Sequence, residues 1–379
     1  MTKKNRKYIG MLGGGQLGLL FLQQAKRNNK MVLVYDPDKL CPAAKEADKY
    51  IEAEYDDMKS LDIIANECYV CSTEFENISY KTLEYLEKSI NVFPSSKILK
   101  ITQNRKLEKD FLKRNNIPVT DFLIISNHDD IKDLNSTDMY PAILKTTGLG
   151  YDGKGQISVN NNQQLTSAFT ELKSVECILE KKVNLDKEVS IIAGCYQDGH
   201  IEFLPISENK HLNNILYMSK VPASLDEVST QEILGIAKKI IKNLNYVGVI
   251  GIEFFISSDK KILVNEIAPR THNSGHFSIE GCDISQFQQQ VNVLSDSEPT
   301  KSKLLEPSVM INLLGDVWEQ GMPNFEIIKE YNCANLHLYG KKTPRKKRKM
   351  GHITVTNKSL ETAVNLAEEI YEKIQKKGK

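Results

Sequence analysis

No stretch of the 379 residues approaches the ~20 consecutive apolar positions that a membrane-spanning helix needs, so no membrane partner is expected. Charge of one sign is lacking too. Fifty Lys and Arg against 49 Asp and Glu leave a net charge of +1, which gives no global pull toward nucleic acid and leaves only local basic patches to consider. The seven cysteines are odd in number and scattered, unlike a disulfide framework, and are expected as reduced thiols in a cytoplasm. Cys68-Tyr69-Val70-Cys71 has the spacing of half a zinc or redox site, but no second cysteine or histidine pair completes a set. Its surroundings read as a buried strand carrying core cysteines. The basic start at residues 1–7 runs into an apolar segment that glycines interrupt, so a signal peptide is not expected. Internal repeats and low-complexity segments are also lacking. What remains is ordinary globular composition, 40% hydrophobic and 26% charged, at a length that suggests two or three domains.

The stretch around which the chain is organised is Lys145-Thr146-Thr147-Gly148-Leu149-Gly150-Tyr151-Asp152-Gly153-Lys154-Gly155-Gln156, set between an apolar run at 140–144 and an alternating run at 157–159. This reads as strand, loop, strand. Its four glycines let the backbone approach a ligand and leave N–H groups free for phosphate oxygens. Lys145 and Lys154 supply the positive charge that a polyphosphate needs. The Walker pattern, which sits between strand and helix, does not fit. Alone, the loop reads equally as a hairpin turn with solvated lysines.

The chain opens with a strand at 7–12, then Gly13-Gly14-Gly15-Gln16-Leu17-Gly18, a helix at 19–27 and a strand at 31–35 ending at Asp36. G-x-G-x-x-G with an acid 18 residues later suggests a dinucleotide site. Physically it asks only for some anion at a helix N-terminus. Glu74 and Glu76 follow the strand at Cys68, where open α/β sheets bind ligands, or else one of them caps the next helix. A charged helix is expected over 96–116, with the first domain boundary in this region.

Farther on, strands at 247–256 and 261–267 carry Glu253 and Glu266. A two-residue turn at Ser258-Asp259 would set residue 253 opposite 264 and leave Glu266 as the diagonal neighbour, about 7–8 Å away. Two carboxylates on one face repel unless a cation lies between them, and hard oxygen ligands suit magnesium carried by a nucleotide. Pairing of one acid with a lysine is the alternative. Ala268-Pro269-Arg270-Thr271-His272-Asn273-Ser274-Gly275-His276 then supplies the donors expected around a transferring phosphoryl group. Near the end, a basic run from Lys341 to Lys349 lies between two strands. It reads as a phosphate-binding hairpin, a solvated face or a nucleic-acid patch.

Together these residues resemble the ATP-grasp superfamily over essentially the whole chain, and within it the 5-(carboxyamino)imidazole ribonucleotide synthetases of purine biosynthesis. The likeness lies in the first glycine turn, the glycine loop at 150–156, Val264-Asn265-Glu266-Ile267-Ala268-Pro269-Arg270 with its continuation to His276, and Leu338-Tyr339-Gly340-Lys341 with Arg348-Lys349-Met350-Gly351-His352. The resemblance implies an α/β ATP-grasp fold: a Rossmann-like domain over 1–100, an ATP-grasp domain over 101–300 and a small α+β domain over 301–379. It implies that ATP phosphorylates bicarbonate and that the carboxyphosphate, or carbon dioxide from it, carboxylates the amine of aminoimidazole ribonucleotide. ATP would be held by Arg105, Lys145, the loop residues Gly150, Tyr151, Asp152, Gly153, Lys154, Gly155 and Gln156, then Glu180, Lys181, Lys182, Val183, Glu188, His211, Asn265 and Glu266. Glu253 and Glu266 would take magnesium, with manganese as the alternative ion. Asp152, Arg270 and His272 would be catalytic. The ribonucleotide would meet Gly15, Gln16, Leu17, Glu76, Lys341 and Arg348. The resemblance further implies a cytoplasmic homodimer that acts on small molecules and not on nucleic acid.

Three other readings stay open from the sequence. A sister enzyme such as formate-dependent glycinamide ribonucleotide transformylase would keep the ATP residues. A dinucleotide-dependent oxidoreductase would leave the second glycine loop unexplained. A non-catalytic nucleotide-binding module would have no need of the paired glutamates.

Overall fold

The computed structural model of the protein describes residues 6–132, 134, 138–148 and 155–375. Apolar runs near the N-terminus form a five-stranded parallel sheet in the order Lys49–Ile51, Met31–Tyr35, Tyr8–Leu12, Cys68–Thr73, Asn91–Phe93. Such a sheet is buried on both faces, which is why its strands read as continuous hydrophobic segments. Strand order reverses between Tyr8–Leu12 and Cys68–Thr73. The crevice beyond their C-terminal ends is therefore the place where such sheets bind ligands, and Glu74 and Glu76 lie there.

A four-stranded antiparallel sheet follows, ordered Phe122–Ile125, Cys177–Lys181, Ala142–Thr146, Gln156–Val159, with helix Asn162–Glu171 packed on its core. The largest sheet has nine strands. Its path runs Ile262–Ala268, Gly248–Ser257, Leu185–Cys195, Ser207–Leu212, Ile215–Val221, Ser308–Leu314, Lys349–Thr356, Ala334–Leu338, with Ile201–Phe203 paired to Leu185–Cys195 off that path. Helix Glu227–Leu244 buries Ile233, Ile236, Ala237, Ile240 and Ile241, recurring at helical spacing, against the Leu185–Cys195 and Gly248–Ser257 strands. The C-terminal strands extend this central sheet through Ser308–Leu314, which pairs with Ile215–Val221, and helix Leu360–Gln375 closes a core of their own. Among the described residues no helix is long and apolar enough to cross a membrane. All seven cysteines are free thiols, and Cys68 and Cys71 are buried on their strand.

The single helix expected over 96–116 is two, Ser96–Thr102 and Arg105–Arg114. Asn104 is the physical reason. Its side chain accepts from Leu107 N at 3.0 Å as an N-cap, which requires an extended backbone at that residue. The break matters for the site, because Asn104 forms a bridge with Gly148 and Arg105 N donates to Thr147 O at 2.7 Å. Asn104→Ala should lower the unfolding free energy by about 1 kcal/mol. In a thermal melt that is a fall in Tm of about 3 °C.

Candidate active site

The three sheets meet at a cleft lined by Glu76, Arg105, Glu108, Lys145, Glu180 and Glu266, among others. Alternation along Cys177–Lys181 turns Glu180 into it, while Lys181 points away and meets Asp138 at 2.5 Å. Glu180 is buried, ion-paired to Lys145 and 3.5 Å from Lys109 Nζ. Burial raises its pKa, but Lys109 and Lys145 outweigh that and hold the carboxyl at about 2. Lys145 is thus presented at its strand end by a buried anion. Arg105, the first residue of its helix, donates to Thr146 O at 2.9 Å. Lys182 N bonds Pro141 O at 2.8 Å, its side chain exposed, and Val183 is half-buried. Gly155, at φ 70°, accepts from Thr146 N at 3.0 Å, and Gln156 pairs with Lys145. Gly150, Tyr151, Asp152, Gly153 and Lys154 lie outside the described residues.

The paired glutamates are closer in register than the diagonal arrangement expected from a tight turn. Ile256 pairs with Ile262 and Ser257 N donates to Lys261 O at 3.0 Å, so the turn spans three residues, 258–260, and a bulge between Glu253 and Phe254 leaves Asn265 as the extra residue. Glu253 therefore faces Glu266 directly. The two carboxyls split as like charges must. Burial opposes charge on Glu253, but His272 and His211 hold its pKa down. On Glu266, burial and the Glu253 charge push it up. Glu253 accepts from Asn265 Nδ2 at 3.2 Å and lies 3.1 Å from His272 Nε2. The other ring nitrogen of His272 meets Ser274 Oγ at 2.8 Å, and Ser274 is anchored to Ser190 at 2.6 Å. No set of three His, Cys, Asp or Glu side chains placed to hold a metal ion occurs among the described residues. Two opposed carboxylates in want of a cation fit magnesium whose remaining ligands are nucleotide oxygens and water.

Glu188 and His211 lie on paired strands with 2.6 Å between carboxylate and Nδ1. Burial lowers the pKa of His211, but Glu188 and Glu253 outweigh it and raise the pKa overall. Sequence reasoning missed Glu108, buried in the cleft and accepting from Ile267 N at 3.3 Å. Its pKa is pushed up to about 8 by burial, with Lys109 opposing and Glu266 reinforcing. Its place inside an otherwise charged amphipathic helix was the available signal.

On the other side, Arg270 grips Glu76 with two hydrogen bonds, 2.5 Å from Nε and 2.9 Å from Nη2. Burial raises the Glu76 pKa, but Arg270 outweighs it and holds the carboxyl at about 2. Lys341 Nζ crosses to the first sheet's glycine turn and donates to Gln16 Oε1 at 2.6 Å, whereas Arg348 bonds Thr343 O at 3.1 Å within its own hairpin. The turn itself differs from an open phosphate cradle. Gly14 N donates to Asp36 at 2.7 Å and Gly18 N to Glu74 at 2.8 Å, both acids buried. A Cβ on Gly15 would lie 2.0 Å from Glu74 Oε1. Leu17 is buried in the core, so Gln16 is the turn residue whose side chain reaches Lys341. The Asp36 of the dinucleotide-like pattern is folded back onto the turn.

Comparison with known proteins agrees with this architecture. Residues 6–103 match a ribonucleotide synthetase preATP-grasp domain, 110–287 an ATP-grasp domain and 308–365 the phosphoribosylaminoimidazole carboxylase C-terminal domain. The chain is 40% identical over 348 residues, 92% of each chain, to a Staphylococcus aureus N5-carboxyaminoimidazole ribonucleotide synthase. It superposes with a TM-score of 0.90 and 38% identity, covering 98% of each chain, on an S. aureus N5-carboxyaminoimidazole synthetase solved with ADP. It also superposes with a TM-score of 0.89 and 27% identity, over 98% of this chain and 100% of the other, on an Aspergillus clavatus synthase solved with ADP and 5-aminoimidazole ribonucleotide.

The Glu76–Arg270 pair sets a pH signature. Because the Glu76 pKa is depressed from 4.5 to about 2, its contribution to stability is full above about pH 4.5 and is lost as pH falls through about 2. Glu76→Gln should destabilise by about 3 kcal/mol at neutral pH. The gap in Tm between wild type and variant should be flat from pH 7 to 5 and shrink below pH 4.5; a gap that stays constant to pH 2.5 would contradict the pairing.

Proposed function

The chain belongs to the N5-carboxyaminoimidazole ribonucleotide synthase family of ATP-grasp ligases, and on that premise we propose that it carboxylates aminoimidazole ribonucleotide with bicarbonate and ATP. The observation that carries this reading is the opposition of Glu253 and Glu266 beside His272, with Glu266 lining the same cleft as Glu76 of the Glu76–Arg270 pair. It supports a reading in which phosphoryl-transfer groups stand against a wall that receives the ribonucleotide. Phosphoryl transfer asks a protein for positioning and charge neutralisation more than for covalent chemistry.

In this reading Lys145, fixed by Glu180, and the loop at 150–156 hold the phosphates. Arg105, residues 180–183, Glu188 and His211 take the adenine and ribose. Magnesium, or manganese in its place, would bind Glu253 and Glu266 and neutralise the transferring phosphoryl group. Arg270 and His272 offer donors to the bicarbonate-derived anion and keep water from it. Asp152 orients the acceptor amine. Lys341 and Arg348 neutralise the ribonucleotide's 5′-phosphate, and Gln16 and Glu76 border its ribose and amine. The carbamate leaves with ADP and phosphate. The resemblance supports the further proposal of a cytoplasmic homodimer whose domains divide near residues 100 and 300.

ADP release that requires both aminoimidazole ribonucleotide and bicarbonate tests the reading. Release that instead requires formate and glycinamide ribonucleotide would assign the sister reaction. Glu266→Gln should abolish ADP formation while leaving the circular dichroism spectrum and Tm near wild type. Replacing Arg270 or His272 should uncouple the reaction, so that ADP is formed in excess of carbamate.

A further inference from the structure

Two histidines of the motifs at the two ends of the ATP-grasp and C-terminal segments, His276 and His352, have no place in that chemistry. Both are fully buried. The His352 ring stacks flat on His337, with centroids 4.5 Å apart at 9°, and lies 4.8 Å from the His276 ring on another side. Gly351 permits the approach, since a Cβ there would sit 2.5 Å from His337 O. Burial, then neighbouring His276 and His337, keeps His352 neutral; burial and the same kind of neighbours do so for His276. Among the described residues the Nε2 atoms of both rings lack hydrogen-bond partners. A core selected for packing alone would fill this space with apolar rings, because an unsatisfied buried N–H costs free energy.

The polar atoms that do have partners form a line. Gln286 bonds His272 at both backbone groups, accepting from N at 2.9 Å and donating to O at 2.8 Å, and its amide also donates to His276 Nδ1 at 3.0 Å. His276 packs on His352, whose Nδ1 meets Tyr339 OH at 2.8 Å. The Tyr339 ring lies 5.6 Å beneath Lys341 Nζ, and Lys341 reaches Gln16 at 2.6 Å. This line runs from the residue beside the paired glutamates to the cation facing the first sheet.

We infer that Gln286, His276, His352 and Tyr339 are positioning residues that fix Lys341 relative to His272, so that the acceptor's phosphate and the site of carboxyl activation are held at one separation. The inference rests on the acceptor reading above. None of the four need touch a ligand. Tyr339→Phe and His352→Phe test it, because each keeps a ring of similar shape and deletes one side of the Tyr339–His352 hydrogen bond. Amide hydrogen exchange without substrate should rise at residues 16–20 and 341–349 in both variants, with Tm within about 3 °C of wild type. Unchanged exchange in those segments overturns the inference, whatever the enzyme's acceptor. With exchange raised, the apparent KM for aminoimidazole ribonucleotide should rise about tenfold, the loss of one hydrogen bond's worth of positioning, while that for ATP stays within twofold. An unchanged acceptor KM also overturns it, and marks the stack as packing. If wild type shows no turnover with that acceptor, the acceptor reading fails by itself and the exchange measurement still decides whether the line fixes Lys341.

Discussion

Two carboxylates held face to face are the constraint on which the rest of the site depends. Side chains directly opposite on an antiparallel pair are separated by only about 5 Å at Cβ, and like charges there are destabilising. Glu253 and Glu266 occupy such a pair. The protein relieves one side more than the other: Glu253 is provided with His272 and Asn265, while Glu266, with only the more distant pull of His272 and Arg105, carries the raised pKa. The remaining charge imbalance is what a divalent cation would correct. His272 could not serve Glu253 if its ring were free to turn, so the buried Ser190–Ser207–Ser274 hydroxyl cluster is part of the same device.

The first sheet is attached to this site by charge as well as by packing. Apolar contact joins helix Gln16–Arg27 to Gln286–Leu294, and the amides of Gln24 and Gln288 add a hydrogen bond at 2.5 Å. Closer to the cleft lie an ion pair, Glu76 with Arg270 across 194 residues, and a hydrogen bond from a cation, Lys341 to the neutral amide of Gln16 across 325. A bidentate guanidinium–carboxylate pair fixes orientation in addition to distance. Arg270 therefore points toward the strand end of the first sheet, with its charge matched by Glu76.

The strand–loop–strand at 140–159, the βαβ opening and the paired glutamates were legible because each is a local pattern. Alternation, glycine spacing and two acids on adjacent strands need no knowledge of the rest of the chain. What was illegible depends on residues far apart. The diagonal register expected for Glu266 came from assuming the shortest turn, and a three-residue turn with Asn265 bulged out replaced it. Helix 96–116 looked continuous because Asn104 is only mildly unfavourable inside a helix, while its advantage as a cap is visible only once Leu107 N is in place. Asp36 was linked to the glycine turn only as the acid of a dinucleotide pattern, and Glu74 could not be assigned to it at all without the parallel pairing that brings their strands beside it.

That turn shows how one local pattern serves opposite ends. A helix N-terminus with free N–H groups attracts negative charge, and glycine spacing shows how near that charge must come. Here the charge is the protein's own. Glu74 enters from the neighbouring strand, accepts from Gly18 N and stands where side chains on Gly15 or Gly18 would be. Burial pushes its pKa up to about 7 against the pull of Gly18 N–H, with Asp36 adding to the rise. A pyrophosphate brought to the same N–H groups would meet two buried carboxylates and would have to displace hydrogen bonds already made. The N–H groups of the pattern that suggests a dinucleotide are here taken by the chain's own acids. The turn's outward contact is made by a side chain and not by backbone: Gln16 accepts from Lys341 of the C-terminal hairpin.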